Sequence, residues 1–470
     1  MPKTKIVCTI GPASSSEEGL AALMSAGMDV ARLNFSHGSF EEHAAKIKTI
    51  RKVAAESGRL IGILQDLSGP KIRLGQIANE PVLKQGQKIV FTSRDVPGDD
   101  REVNLPYPDL ISQIRKGSQI FADDAKLEFR AVSVTETDVT AAVLVGGPLG
   151  SRKGITIPGT KLTQPSMTEK DKADLRFGLK AGVDWIAASF VRSPDDIRPI
   201  RAIMDEVGIC APVIAKIERP EAVACIDEII EAFDGIMIAR GDLGIELPVE
   251  RVPLVQKSII KKCGIAGKPV ITATQMLDSM IHNCQPTRAE VTDVANAILD
   301  GTDAIMLSGE TAMGDFPTRA VKMMARIAMT TERSLHYQRI SRSRYAAVAT
   351  SMTDAIGEAV VELAYDLNLS AIITSTATGG TARRVSKYRP KARIIAAATQ
   401  TAVARQLTLS WGVIPISVPV CQTTDETIEH AIDAAKKAKL VKNGDTVVVT
   451  GGFPVGMPGM TNLIKVEKVS

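Results

Sequence analysis

The ten residues LQDLSGPKIR, Leu64 to Arg73, end one kind of structure and begin another. They close an apolar run, IGILQDL, on the carboxylate of Asp66; a small-residue turn follows at Ser68, Gly69 and Pro70, and Lys71 arrives at once. An apolar strand that stops on a charge, with an opposite charge beside it, reads as a parallel strand whose C-terminal end faces a site. Outward from this point, short β-branched runs ending in polar residues alternate with longer amphipathic stretches, the pattern of repeated βα units. Eight strands follow from it: KIVCTI, DVARLNFS, IGILQDL, WIAASF, PVIAKIE, GIMIARGD, PVITATQ and AIMLSG. Helices fit between them, as in SSSEEGLAALMSAG, where Ser14 to Ser16 and then Glu17 and Glu18 supply a cap and first-turn acids. The most economical closure is an α/β fold, a (β/α)8 TIM barrel, over residues 1–70 and 160–340.

The third unit is interrupted. Over residues 71–159 the pattern changes to strands with polar turns, QKIVFTS, GSQIFADD, KLEFRAVSV and DVTAAVLVGG, which predicts a small inserted β-barrel domain. It leaves the barrel just after a strand's C-terminal end, so it is placed to act as a lid. Residues 341–470 return to α/β, with AIITST, RIIAAAT, GVIPISV and DTVVVTG as strands of an open, largely parallel sheet. A chain of 470 residues is expected to hold two or three such domains.

The bulk properties remove several function classes. The formal charge of +4 comes from 57 basic and 53 acidic residues interspersed along the chain, which argues against nucleic-acid binding. Six cysteines (Cys8, Cys210, Cys225, Cys263, Cys284 and Cys421) never form C-x-x-C and read as reduced. The opening MPKTKIVCTIGP has no apolar signal region, and no apolar run is long enough to span a bilayer. The expectation is a cytoplasmic protein.

The strand ends carry Arg32, Asn34, Ser36, Asp66, Ser189, Lys216, Glu218, Arg240, Asp242, Thr274, Gln275, Ser308 and Glu310, so one mouth collects cations, carboxylates and hydroxyls. In AKIE a period of two turns Lys216 and Glu218 into the mouth and Ile217 outward. Read alone, that pair fits a structural ion pair equally well. In ARGDLG, Asp242 falls in a Gly-flanked turn, and Gly241 lets the backbone approach a ligand. Glu218 and Asp242 together offer hard oxygens of the kind that hold Mg2+. Lys216 beside a dication, with Arg32 across the mouth, describes a clamp for phosphoryl oxygens, and no Walker motif is present. Thr274 and Ser308 supply hydroxyls, and capping and turn duty is the better explanation of each taken by itself. His37 contacts a nucleotide or caps the next helix.

These residues lie in longer stretches that resemble pyruvate kinases over the whole chain: KIVCTIGPAS, VARLNFSHG, IAKIE, GIMIARGDLGIE, ITATQMLDSM, PTRAEVTDVANAILDGTDAIMLSGETA and LSWGVIP. The resemblance implies a barrel with a mobile β lid and a C-terminal regulatory domain, assembled as a homotetramer. It implies transfer of the phosphoryl group of phosphoenolpyruvate to ADP, giving pyruvate and ATP. Position by position, Glu218 and Asp242 match the family's Mg2+ ligands, where Mn2+ can substitute, and Lys216 matches the phosphoryl-stabilising lysine. Arg32 matches the arginine that reaches the phosphoryl group. The N–H groups of Gly241 and Asp242, with the Thr274 hydroxyl, match the substrate-carboxylate site. Asn34, His37, Arg73 and Lys153 resemble nucleotide contacts, and water near Thr274 and Ser308 is implied in protonating the enolate.

Two other readings compete. A metal-dependent lyase acting on an enolate would share Glu218 and Asp242 but needs neither nucleotide nor lid, and Arg32, Arg73 and Lys153 count against it. A non-catalytic sensor is expected to lose the lysine or a metal carboxylate, and Lys216, Glu218 and Asp242 are all present.

Two further expectations come from the resemblance. Many relatives need potassium, held by positions that match Asn34, Ser36, Asp66 and the carbonyl of Leu67. In those relatives the position of Lys71 is glutamate and that of Leu67 is usually threonine, so this chain departs at both. Lys71 is therefore expected to act as an internal substitute for the monovalent cation beside Asp66, and potassium is not expected to be required. In the last domain, TSTATGGTARR (Thr374, Ser375, Thr376, Thr378, Gly379, Gly380 and Thr381, with Arg383 and Arg384 following) leads into a helix N-terminus suited to a phosphorylated effector. The loop Gly451 to Gly459 is expected to close over it; AMP and a sugar monophosphate both stay open as its occupant.

Overall fold

The eight apolar runs are buried on both faces, as parallel strands covered by helices must be. A computed structural model describes residues 2–160, 164–337, 340, 351–454 and 460–470. Among these, Lys5–Thr9, Val30–Asn34, Gly62–Asp66, Trp185–Ala188, Val213–Ile217, Gly235–Ala239, Val270–Ala273 and Ala304–Leu307 close into a barrel of parallel strands. Alternate residues pack inward, among them Val7, Val30, Leu64, Trp185, Ile214 and Met237, while Ile6, Leu33, Ile63, Ile186 and Ile217 pack outward against the helices. The helix over Glu17–Ala26 is capped by Ser16, which accepts from the Gly19 N–H. A capping box starts the helix Glu169–Ala181, and its Asp171 also accepts from the Gly69 N–H at 3.0 Å, which fixes the turn that follows Asp66.

The inserted segment forms a six-stranded sheet in the order Ile155–Thr156, Gln119–Ala122, Leu127–Val134, Asp138–Val145, Lys88–Thr92 and Glu102–Asn104. Phe91 and Phe129 meet edge to face at 5.2 Å in its separate core. A bridge between Arg73 and Gly154 brings together the chain that leaves the barrel and the chain that returns.

The C-terminal sheet runs Val413–Ser417, Arg393–Ala398, Ala371–Thr376, Thr446–Gly451 and Leu463–Lys468. The last strand is antiparallel and was not among those read from sequence. This domain seats on the floor of the barrel. Leu409 is fully buried in the inward-facing cluster with Leu64 and Trp185, and Trp185 donates its indole N–H to the Gln406 carbonyl at 3.1 Å. Lys3 donates to the carbonyls of Pro390, Lys391 and Ala392, and Arg389 pairs with Asp303 at 2.9 Å. Among the described residues no helix is long and apolar enough to cross a membrane.

Removing the Leu409 side chain leaves a void in the barrel floor that its rigid walls cannot fill. Leu409→Ala is expected to destabilise the chain by about 2–5 kcal/mol, read as an earlier thermal or denaturant transition. A transition unchanged from the parent would show that the leucine is not a packed stopper.

Candidate functional site

Burying a charge is costly unless it is paired, and the C-terminal mouth buries several. Asp66 ends its strand fully buried. Its Oδ2 accepts from Arg32 Nε at 2.6 Å and its Oδ1 pairs with Lys216 Nζ at 3.1 Å. Burial pushes the Asp66 carboxyl up, but Lys216 and Arg32 outweigh it and hold the carboxyl below its ordinary value. Lys216 also donates to Ser189 Oγ at 2.6 Å and pairs with Glu218 Oε1 at 3.0 Å. Burial lowers its ammonium, while Asp66 and then Glu218 more than restore it, so the net shift is upward. Lys216 is therefore a fixed cation. Arg32 further donates to Thr9 Oγ1 at 2.9 Å.

Glu218 is buried, and its other oxygen accepts from the Phe190 N–H at 2.6 Å. Its carboxyl is raised, first by burial and further by the charge of Asp242, with Lys216 opposing. Glu218 and Asp242 are the carboxylates that could hold a divalent cation, which would offset the negative charge that raises Glu218. Among the described residues no group of three or more His, Cys, Asp or Glu side chains gathers to hold a metal. Glu218 and Asp242 would by themselves fill only part of the oxygen shell of a divalent cation.

The expected turn around Asp242 is instead the start of a helix, Arg240–Glu246, which begins directly at the strand's end. The Gly241 N–H donates to Thr274 Oγ1 at 2.7 Å, so the two halves of the expected carboxylate site are bonded to each other. Thr274 and Gln275 both hold positive φ, +69° and +54°. A β-branched residue there costs on the order of 1–3 kcal/mol and persists only when held. Arg240 holds it, donating to the Thr274 carbonyl at 2.8 Å and to Asp293 at 2.6 Å. The Ser308 N–H donates to Glu310, whose other oxygen accepts from the Leu277 N–H.

Of the residues matched to the nucleotide, Arg73 and Lys153 lie side by side at the neck of the inserted domain, where the Leu74 N–H donates to the Lys153 carbonyl at 2.9 Å. Asn34 Oδ1 accepts from the Ser36 N–H, and Ser36 Oγ donates to Ser68. His37 is exposed and does not cap the next helix; Ser39 does, while the His37 carbonyl meets the His43 ring. Arg73 donates to the Arg152 carbonyl, and Lys153 pairs with Asp123 at 3.0 Å. Lys71 requires a correction. Its ammonium lies on Asp124 at 3.0 Å and near Asp242 at 3.8 Å, not on Asp66, because Arg32, Lys216 and Ser189 already occupy both oxygens of that carboxylate. The Leu67 carbonyl accepts from Ser189 at 2.7 Å.

In the last domain a cavity of about 220 Å³ is lined by Ser375, Thr376, Thr378, Gly380, Thr381 and Arg384. Thr374 lies two residues deeper, fully buried, with its hydroxyl on the Ile395 carbonyl. Gly379 is not in the lining; its N–H donates to Thr376 Oγ1. Arg383 turns away to the junction with the barrel, beside Gly267 and Lys268. Gly452 and Phe453 border the cavity, and Val455 to Gly459 of the expected closing loop lie outside the described residues.

Three contributors were not assigned a role from sequence. Ser189 links Lys216, Asp66 and Leu67; its strand-end position was the only signal. Thr9 had the same signal at the end of the first strand. Asp124 comes from the inserted domain, and nothing local marked it.

The closed barrel, with its charged side chains gathered at the strand C-termini, has the architecture of a barrel enzyme. The family model described as "Pyruvate kinase, barrel domain" matches residues 1–321, and "Pyruvate kinase, alpha/beta domain" matches 354–467. Pyruvate kinase from Geobacillus stearothermophilus is 51% identical over all of this chain and 80% of its own length. That from Bacillus licheniformis is 49% identical, over all of this chain and 81% of its own. The solved structure of a pyruvate kinase from Cryptosporidium parvum superposes with a TM-score of 0.94 at 39% identity, covering all of this chain and 96% of that one. The chain belongs to the pyruvate kinase family.

Proposed function

We propose that this chain transfers the phosphoryl group of phosphoenolpyruvate to ADP, giving pyruvate and ATP, as a cytoplasmic homotetramer at the last step of glycolysis. The observation that carries the reaction is the Lys216 ammonium, held in place by Asp66, Glu218 and Ser189, with the charges of Asp66 and Glu218 favouring its protonated form over the cost of burial. Family membership is the support for the tetramer and the location. Lys216 and Arg32 face the transferring group and offset its charge without reorganising, because their own partners already orient them. The carboxylates of Glu218 and Asp242 are the residues that would hold Mg2+, or Mn2+ in its place, which when bound offsets further negative charge on the phosphoryl oxygens. Thr274, with the N–H groups of Gly241 and Asp242, receives the substrate carboxylate, and substrate then competes with the Gly241 bond to Thr274. Water near Thr274 and Ser308 gives the proton to the enolate. Asn34, His37, Arg73 and Lys153 face the nucleotide, and the lid over 71–159 excludes water that would otherwise take the phosphoryl group.

Lys71 brings a unit charge to the mouth at Asp242, and the reading that potassium is dispensable is kept on that ground. The cavity lined by Ser375, Thr376, Thr378, Gly380, Thr381 and Arg384 is proposed to take a phosphate monoester: hydroxyls, helix N–H groups and one guanidinium converge there.

Lys216→Met is expected to keep phosphoenolpyruvate binding yet lose phosphoryl transfer by more than the factor of about 10² to 10³ that one preorganised donor supplies. Proton exchange on pyruvate survives better. Near-normal ATP formation by the variant would overturn the assignment. In buffer free of potassium and sodium, with a bulky organic cation at matched ionic strength, the parent is expected to run at full rate. Lys71→Glu is expected to acquire a potassium requirement, and a large stimulation of the parent by potassium would refute the substitution. For the cavity, AMP and sugar monophosphates are expected to shift the phosphoenolpyruvate saturation curve and to lose that effect in Arg384→Ala; a flat response across the series would count against an effector site.

A further inference from the structure

Between the lid strands Gln119–Ala122 and Leu127–Val134, three consecutive residues without a glycine hold positive φ: Asp123 at 51°, Asp124 at 55° and Ala125 at 65°. Such a run persists only where its surroundings impose it. The turn is pinned by the Asp123 N–H, which donates to the Gly154 carbonyl at 3.1 Å, and it aims two carboxylates at two lysines. Asp123 takes Lys153 at 3.0 Å, and Asp124 takes Lys71 at 3.0 Å. Lys71 also stands 3.8 Å from Asp242 Oδ1, so one ammonium reaches from a lid carboxylate to a barrel carboxylate. Its stem passes Gly154 so closely that a Cβ there would sit 2.5 Å from Lys71 Cε. A glycine at the neck of the lid leaves the passage this side chain uses.

We propose that Lys71 is a strut: Asp124 ties it to the lid, and it competes with a divalent cation for Asp242, so that metal occupancy and lid position are coupled. The inference rests on the reading of Asp242 as a metal carboxylate. An ammonium and a divalent cation on one carboxylate oxygen repel each other, so binding of the cation loosens the barrel end of the strut. Linkage makes the effect reciprocal: whatever draws Lys71 away from Asp242 favours the cation, and whatever frees it to rest there opposes the cation. Asp124 is a positioning residue in this scheme, acting on the metal carboxylate only through Lys71.

The test is Mn2+ affinity of the full chain without substrates, read from the electron paramagnetic resonance of free Mn2+. Lys71→Met is expected to bind Mn2+ about two- to fivefold more tightly, the range of a partly exposed ion pair. Asp124→Asn, whose asparagine tolerates the left-handed backbone and preserves the turn, is expected to bind it more weakly by a similar factor. In the Lys71→Met background the same Asp124→Asn change is expected to do nothing, because its intermediary is gone. A second readout, energy transfer between a donor on the lid and an acceptor on the barrel without added metal, is expected to broaden in either single variant. Equal Mn2+ affinity in parent and Lys71→Met, or an Asp124→Asn effect that survives the loss of Lys71, would overturn the strut. If Asp242→Asn leaves Mn2+ affinity at the parent value, the metal reading fails instead, and the energy-transfer comparison decides whether Lys71 and Asp124 tie the lid.

Discussion

Asp66 can be buried only because Arg32 and Lys216 meet its two oxygens, and most of the molecule's geometry is arranged so that they do. Removing one partner of a buried ion pair costs about 3–5 kcal/mol, comparable to the net stability of a domain, so the strands cannot shift against each other without penalty. The register holds Asn34 opposite Asp66 on one side and Ala187 opposite Asp66 on the other. A slip of one residue would turn Asp66 toward the apolar helix layer. Lys216 then links this carboxylate to Glu218, and Glu218 feels Asp242. The mouth therefore sets two cations, Arg32 and Lys216, against two buried carboxylates, Asp66 and Glu218, while Asp242 at its rim has the Lys71 ammonium at 3.8 Å.

What could be read from sequence follows from which forces are local. Strand alternation is fixed by the backbone, so AKIE alone placed Lys216 and Glu218 on the mouth side and Ile217 in the helix layer, where the structure has them. The eight barrel strands were legible for the same reason: each is a dense apolar run bounded by polar residues. The final strand, LIKVEK, carries a weaker signal because an edge strand is half exposed, and its alternation went unused. Positive φ at Thr274 and Gln275 was invisible, since no glycine marks it and the guanidinium that holds it starts 34 residues away. Lys71 was misplaced on a general ground. A lysine stem reaches several ångströms in any direction, and sequence gives no sign that Asp66 is already full or that Asp124, 53 positions later, is turned back toward it. Thr374 and Thr376 illustrate the same limit: both sit on one strand face, but only the residue nearer its end opens onto the cavity.

The two appended domains act on opposite ends of the same strands. Gly62 begins the strand that ends in Asp66, and a Cβ on Gly62 would lie 2.7 Å from Thr408 Oγ1 and 3.0 Å from the Arg405 carbonyl of the C-terminal domain. Leu64, one step further in, packs with Leu409 and Trp185. Beyond Asp66 the Gly69 turn, fixed by Asp171, delivers the chain to Lys71 and the lid. The C-terminal domain thus bears on the floor of the strand whose top carries the central carboxylate and the exit to the lid. A closed barrel has no free edge at which one strand can yield by itself. The seat of the C-terminal domain at Leu407–Leu409 and the exit to the inserted domain at Gly69 are therefore joined through one strand of a closed sheet, with the ion-paired carboxylate of Asp66 between them.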